Sequence, residues 1–163
     1  MDACVAVHAY EGVVAREVLA MKGGGVHATT RSMAAAMWHR ARPMIESDAV
    51  VTWAPTAKKR RRTRGYDQAE ELARAFGREA GLAVHDLAKR VSPHAQHGAG
   101  RSDRARVGFD ARPVFPLGNW PQIVVVDDVR TTGATFGAIA RAIRDVGAEK
   151  IIGISYAATP ARR

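Results

Sequence analysis

The 163-residue sequence predicts a single-domain α/β fold: an open, mostly parallel sheet with helices on both faces. Three stretches in its last third carry that prediction. Ile123-Val124-Val125-Val126, just after Pro121, is a continuous β-branched run of the kind buried on both sides of a central strand. Phe136, Ile139, Ala140 and Ile143 follow at helical spacing in a helix from Ala134 to Val146, with Gly147 as its stop. Ile151 to Tyr156 is a second apolar strand, so strand, helix and strand fit within about 35 residues, the size of a βαβ unit.

The elements before them alternate in the same way. Residues 1–48 read as a helical N-terminal part. Within it, Gly12 to Lys22 carries Val14, Val18, Leu19 and Met21 at a spacing that fits a short amphipathic helix, ended by Gly23 to Gly25. A second helix starts with Thr30 or Ser32 as N-cap, runs through Met33, Met37 and Trp38, and stops before Pro43. Ala49 to Trp53 reads as a short buried strand closed by Ala54-Pro55-Thr56. Residues 54–66 form a basic flexible loop, and a helix from Asp67 to Ala80 follows, with Leu72, Ala73 and Phe76 on one face and Gly81 past its end. Val84 to Leu87 is a weakly signalled strand, and the polar stretch Ser92 to Gly108 is an exposed loop. Trp120 is expected to anchor the start of the strand that begins at Ile123.

Composition narrows the function classes. No apolar run approaches the roughly 18 residues that cross a bilayer, and the N-terminus lacks the order of a secretory signal, so a cytoplasmic protein without a membrane span is expected. A lone cysteine, Cys4, excludes a disulfide within the chain and a zinc site built from several thiolates. His8, His27, His39, His85, His94 and His97 show no metal-ligand spacing, and no Walker-type Gly-Lys-Ser/Thr occurs. The net charge of +9 favours polyanionic partners, whether nucleic acid, phosphorylated substrate or acidic membrane surface. A coding bias that enriches Arg and Ala gives the same charge with no function attached.

In an open parallel sheet, ligands bind beyond the carboxyl ends of the strands. The segment Asp127 to Thr135 falls at that edge and leads into a helix, whose free N–H groups and positive dipole end favour a phosphate. Thr131, Thr132 and Thr135 add hydroxyl donors, and Gly133 admits close approach of the backbone to an anion. Asp127 and Asp128 repel each other, a cost that a polar ligand or a cation relieves. The vicinal hydroxyls of a ribose can donate to both.

The stretch Ile123-Val-Val-Val-Asp-Asp-Val-Arg-Thr-Thr-Gly-Ala-Thr135 resembles the thirteen-residue phosphoribosyl pyrophosphate (PRPP) motif of type I phosphoribosyltransferases. The resemblance implies that Asp127 and Asp128 hold the ribose hydroxyls. It implies that Arg130, Thr131, Thr132, Gly133, Ala134 and Thr135 cradle the 5′-phosphate.

A second stretch, Pro55 followed by Arg64-Gly65-Tyr66-Asp67-Gln68-Ala69-Glu70 and Leu72-Ala73, is similar to the "RGFNQ" block of the ComF/GntX family, phosphoribosyltransferase-like proteins associated with competence and DNA uptake. Gln96, Arg101, Arg104 and Phe109 match a later segment of that family, and Tyr10 and Lys22 its N-terminal aromatic and lysine. The chain departs from the family in lacking the cysteine-rich zinc module, in Trp53-Ala54-Pro55 for Pro-x-Pro, and in Asp67 for the block's Asn. Lys22-Gly23-Gly24-Gly25 is compared with the Lys-Gly-Gly pyrophosphate loop of purine phosphoribosyltransferases, but no strand is expected before it, so it reads as a helix stop.

With this resemblance, Ala54, Pro55 and Thr56, at the same sheet edge, are the expected seat of the pyrophosphate, with Lys58 and Arg64 above it. The run Lys58, Lys59, Arg60, Arg61, Arg62 and Arg64 reads as a basic lid, as a nucleic-acid contact, or as a solvated charge run. Asp127, Asp128 and Arg64 are the residues expected to carry the chemistry. Tyr156 either stacks on a base or fills the core.

Two functions follow from the resemblance. One is an enzyme that transfers a phosphoribosyl group from PRPP, with Mg²⁺ bound through the PRPP and not directly by the protein, to an unidentified nitrogen acceptor with release of pyrophosphate. The other is a non-catalytic module for PRPP or single-stranded DNA acting in DNA uptake. A homodimer is compatible with either.

Overall fold

The computed structural model describes residues 1–22, 26–56, 66–90, 109–111 and 122–160, and it opens with a strand where the sequence suggests only helix. This strand, β1 (Ala3–Ala9), is built from Ala, Cys, Val and His, with no bulky β-branched run to announce it. Its partners, not its composition, recruit it. β1 pairs in parallel with the last strand from Ala3↔Ile152 to Ala9↔Ala158. Just ahead of it the Asp2 carboxylate accepts from the Ile151 N–H at 2.7 Å and from the Arg144 guanidinium at 2.6 Å. That amide bond, with help from Arg144, holds the Asp2 carboxyl below its usual range despite some loss of water.

Helices α1 (Gly12–Lys22) and α2 (Val26–Ala41) come next. The first has its expected bounds. The second starts earlier than Thr30 or Ser32, and the Ser32 hydroxyl donates back to the Thr29 carbonyl at 2.9 Å inside the helix. Pro43 does not simply stop the chain's turning, because it sits in the first turn of a 3-10 segment, Arg42–Met44, where its missing N–H costs nothing.

Strand β2 (Val50–Trp53) follows, then helix α3 (Gln68–Ala80), which Asp67 caps at its start by accepting from the Ala69 N–H. Gly81 ends α3 at φ +70°, the left-handed conformation that glycine adopts without a Cβ penalty. Of the strand expected over Val84 to Leu87 only Val84 is in one, at the end of β3 (Ala83–Val84), and a further short strand, β4 (Ala88–Arg90), begins after it. β4 pairs antiparallel with β5 (Phe109–Ala111) as a separate ribbon. The chain closes through β6 (Ile123–Arg130), α4 (Ala134–Arg144) and β7 (Ile151–Ala158).

The main sheet has the order β1-β7-β6-β2-β3, and every neighbouring pair in it is parallel. Successive residues of β6 serve opposite layers. Val124 and Val126 join α1, α2 and α3 through Met21, Met37, Leu72 and Phe76, while Ile123 and Val125 join α4 through Phe136, Ile139 and Ile143. Helices therefore cover both faces, as the continuous apolar run demands. Each of these fully buried side chains contributes about 1.5–3 kcal/mol of transfer free energy. Gln122, 1% exposed, fixes the entrance to β6: its side chain accepts from the Glu46 N–H and donates to the Met44 carbonyl. Among the described residues no helix is long and apolar enough to cross a membrane.

Candidate functional site

With all five strands parallel, their carboxyl ends share one edge, and part of the expected set, Asp127, Asp128, Ala54, Pro55, Thr56, Thr131 and Thr135, meets there. β6 delivers Asp127 and Asp128, and the loop after β2 delivers Ala54, Pro55 and Thr56. Between them lies a cavity of about 330 Å³. Asp127, Asp128, Val129, Thr131 and Thr135 line one side, Ala54, Pro55 and Thr56 another, and Tyr10, Lys22, Gln68 and Arg90 complete the wall.

The acid pair does not lie on the loop. β6 continues through Arg130, because β7 also runs on to Ala158 and the ladder persists at Asp127↔Ser155, Val129↔Ala157 and Arg130↔Ala158. Asp128 is passed over in this register. Its amide donates to Asp127 Oδ1 at 2.8 Å, and the Val129 amide donates to Asp128 Oδ1 at 2.8 Å. Each carboxylate thus keeps one oxygen on the backbone. The second oxygen of Asp128 meets the Lys22 ammonium at 2.7 Å. Loss of water around Asp127, then the adjacent Asp128 charge, push the Asp127 carboxyl well above the usual carboxylate range, and Lys22 only partly opposes this.

The turn beyond β6 leads straight into α4. Gly133 stands at φ +77° before α4, the Gly137 N–H closes the first turn on its carbonyl at 2.9 Å, and Thr132 Oγ1 accepts from the Ala134 N–H at 3.3 Å. Of the residues expected around a 5′-phosphate, Thr131 and Thr135 line the cavity, whereas Arg130, Thr132, Gly133 and Ala134 do not. Arg130 lies on the strand, and its Nε is buried with no hydrogen-bond partner among the described residues. Its charge is felt at Cys4 on β1, where loss of water raises the thiol and Arg130 opposes the rise.

Opposite the acids, Asp67 shapes the loop after β2. Its carboxylate accepts from the Thr56 N–H at 2.8 Å and from the Thr56 hydroxyl at 2.9 Å while capping α3. Both carboxylate oxygens of Asp67 are used. Thr56 and Asp67 thereby join the two ends of the basic stretch. Lys58, Lys59, Arg60, Arg61, Arg62 and Arg64 lie outside the described residues, as do Gln96, Arg101, Arg104, Trp120 and the Ser92 to Gly108 loop.

Lys22, read from the sequence as part of a helix stop, faces the pocket; the signal that would have shown it is β1, which carries the chain to the sheet edge before α1 begins. Tyr10 follows the end of β1 for the same reason, its amide bonded to the Ala158 carbonyl at 2.8 Å. Arg90 had no sequence signal. Tyr156 belongs to the core: its ring meets His8 edge-on at 5.1 Å, and its hydroxyl donates to Glu17 Oε2 at 2.6 Å. Among the described residues no group of three or more His, Cys, Asp or Glu could hold a metal ion.

No protein-family model matches the chain, and no curated protein matches it. Solved structures do. The chain is similar to the glutamine PRPP amidotransferase of B. subtilis, solved with ADP and GMP, at a TM-score of 0.51 and 18% identity over 77% of this chain. It spans 26% of that protein's length. Adenine phosphoribosyltransferase from Leishmania tarentolae matches with a TM-score of 0.46 and 15% identity, over 78% of this chain and 70% of its own. Purine phosphoribosyltransferase from Pyrococcus horikoshii matches with 0.41 and 15%, over 83% of each. The first of these likenesses, together with the sheet order, establishes the fold: α/β, with a mostly parallel five-stranded sheet like that of the amidotransferase.

Proposed function

We propose that this chain binds PRPP at the carboxyl edge of its sheet and transfers the phosphoribosyl group to a nitrogen acceptor, releasing pyrophosphate. The observation that carries this reading is the acid pair Asp127 and Asp128 facing the Ala54–Thr56 loop across one cavity, with Thr131 and Thr135 beside them. In this arrangement the ribose hydroxyls donate to the two carboxyls. The 5′-phosphate rests on the Thr131–Thr135 turn, beside Thr131 and Thr135, which line the cavity at the start of α4. The diphosphate lies along Ala54, Pro55 and Thr56, the residues that lead in sequence into the basic stretch with Lys58 and Arg64.

The reaction needs little from the protein beyond geometry. The acceptor nitrogen supplies the electron pair for the new bond to C1, and the C1–O bond breaks with its electron pair leaving on pyrophosphate. The chain's part is to fix the ribose, keep C1 open to the acceptor and set the cations of the cavity wall, Lys22 and Arg90, against the departing anion. Mg²⁺, bound with PRPP, supplies charge neutralisation for the diphosphate. The likeness to a PRPP amidotransferase and the thirteen-residue motif support the reading from independent directions.

The ComF/GntX resemblance supports a second reading, a PRPP- or DNA-binding role in DNA uptake, and the net charge of +9 favours it. One experiment separates them. A pyrophosphate-release screen with Mg²⁺·PRPP against free bases, amines and nucleic-acid fragments is run beside fluorescence polarisation with single-stranded DNA over a salt series. Acceptor-dependent release supports the transferase. A steep salt slope without PRPP binding overturns it in favour of the DNA-binding role.

A further inference from the structure

β7 reads Ile-Ile-Gly-Ile-Ser-Tyr-Ala-Ala, and Ser155 lies fully buried in it, 0% exposed. Its hydroxyl has no hydrogen-bond partner among the described residues. A buried hydroxyl left unmet costs stability that an alanine would keep, so packing alone does not account for a serine here. The register shows what stands beside it. Ser155 pairs with Asp127 across the parallel ladder, so the two side chains leave the sheet on the same face. Neighbouring strands lie about 4.8 Å apart, which brings the Asp127 carboxyl within reach of a turn of the serine about χ1.

Asp127 has a use for that donor. Its Oδ1 accepts from the Asp128 amide at 2.8 Å. The charged groups felt at its carboxyl are Asp128, which opposes ionisation, and Lys22, which favours it. Burial acts on the side of Asp128. A carboxyl that keeps its proton is a poorer acceptor for a ribose hydroxyl than a carboxylate is. An O–H donor aimed at the charged form shifts the balance toward it. We propose that Ser155 is a positioning residue: its hydroxyl turns to donate to the ionised Asp127, and so holds ready the carboxylate to which a ribose hydroxyl donates. This rests on the phosphoribosyl reading of the pocket. The proton that Asp127 gives up passes to solvent.

Two readouts on the full chain test it. The first is Mg²⁺·PRPP calorimetry over a pH series, each variant set against the wild-type chain at the same pH so that titration of the ligand cancels. Ser155→Ala should bind about tenfold more weakly at the acid end, and the deficit should close toward the alkaline end, because its Asp127 ionises about one pH unit higher. Ser155→Cys, whose thiol is a weak donor, should behave likewise and serves if the alanine chain fails to fold. A loss of affinity equal at every pH is what a purely structural role gives, and it overturns the assignment, as does an unchanged affinity. Either result leaves the phosphoribosyl reading standing. The second readout needs no ligand. As pH rises, urea midpoints should go on falling for about one pH unit longer in Ser155→Ala than in the wild-type chain, and the difference should vanish when both carry Asp127→Asn. Coincident curves overturn the contact between the two side chains. Absence of Mg²⁺·PRPP binding to the wild-type chain at every pH overturns the phosphoribosyl reading, and the role of Ser155 with it.

Discussion

Both donors of Thr56, its amide and its hydroxyl, end on the Asp67 carboxylate, at 2.8 and 2.9 Å. One side chain, 4% exposed, thus caps α3 and sets the conformation of the loop that faces the acid pair. Asp67→Asn keeps an oxygen for Ala69 but turns an amide donor toward the Thr56 N–H. We expect a stability loss of about 1–3 kcal/mol, the cost of one unsatisfied buried donor. Urea denaturation measures it, and a value near zero would show that the loop relaxes around the change.

Asp127 is retained at a cost to folding. Its folded-state carboxyl titrates well above its unfolded one, so the folded chain binds the extra proton in between, and stability is lost as pH rises through that window. Its contribution is complete only below about pH 4, the ordinary carboxylate value. Asp127→Asn should therefore be more stable than the parent at pH 7, with the gain shrinking toward pH 4. Denaturation of both proteins across that range checks the sign.

The same substitution should impair binding. Asp127→Asn combined with Asp128→Asn is expected to weaken Mg²⁺·PRPP by about tenfold or more, since each amide puts a donor where a ribose hydroxyl has to donate. The circular dichroism spectrum should be unchanged. Full retention of affinity would remove the acid pair from the site.

Tyr156 gives a spectroscopic handle. Burial first, then the hydrogen bond to and charge of Glu17, push its phenol up to about 12. Ultraviolet titration should show a tyrosine ionising near that value, and the step should vanish in Tyr156→Phe. Because the folded value lies above the unfolded one, stability present below about pH 10 is lost as pH rises toward it. PRPP affinity should be unaffected, since Tyr156 does not line the cavity.

Gly133→Ala tests the turn itself. At φ +77° an alanine is strained, by about 1–2 kcal/mol, although the space around a new Cβ is open. A loss in that range by thermal denaturation, with weaker ribose 5-phosphate binding, is the expected result.

What could be read from the sequence follows from where each signal is strongest. β6, α4 and β7 were legible because a strand buried on both faces must be apolar without interruption, and Ile123–Val126 is. The end of β6 was not, because Asp127 to Arg130 look like a loop until the length of β7 is known. β1 was missed for a related reason: at the sheet's edge, with several of its residues exposed, Ala, Cys and His suffice. Losing β1 also hid Lys22, whose position makes sense only once the chain has crossed to the carboxyl edge and turned into α1. The acid pair and the threonines stood out from their chemistry alone, whereas Arg90 depends on a ribbon that no local pattern announces.

The strand order has a consequence for synthesis. Among the described residues β1 pairs with β7 and with no other strand, and β7 also pairs with β6. During synthesis β1 stays without its partner until β7 has been made, whereas β2 can pair with β3 and β6 beforehand. Chains released early carry an unsatisfied edge on both β1 and β6, which makes premature termination a direct route to aggregation.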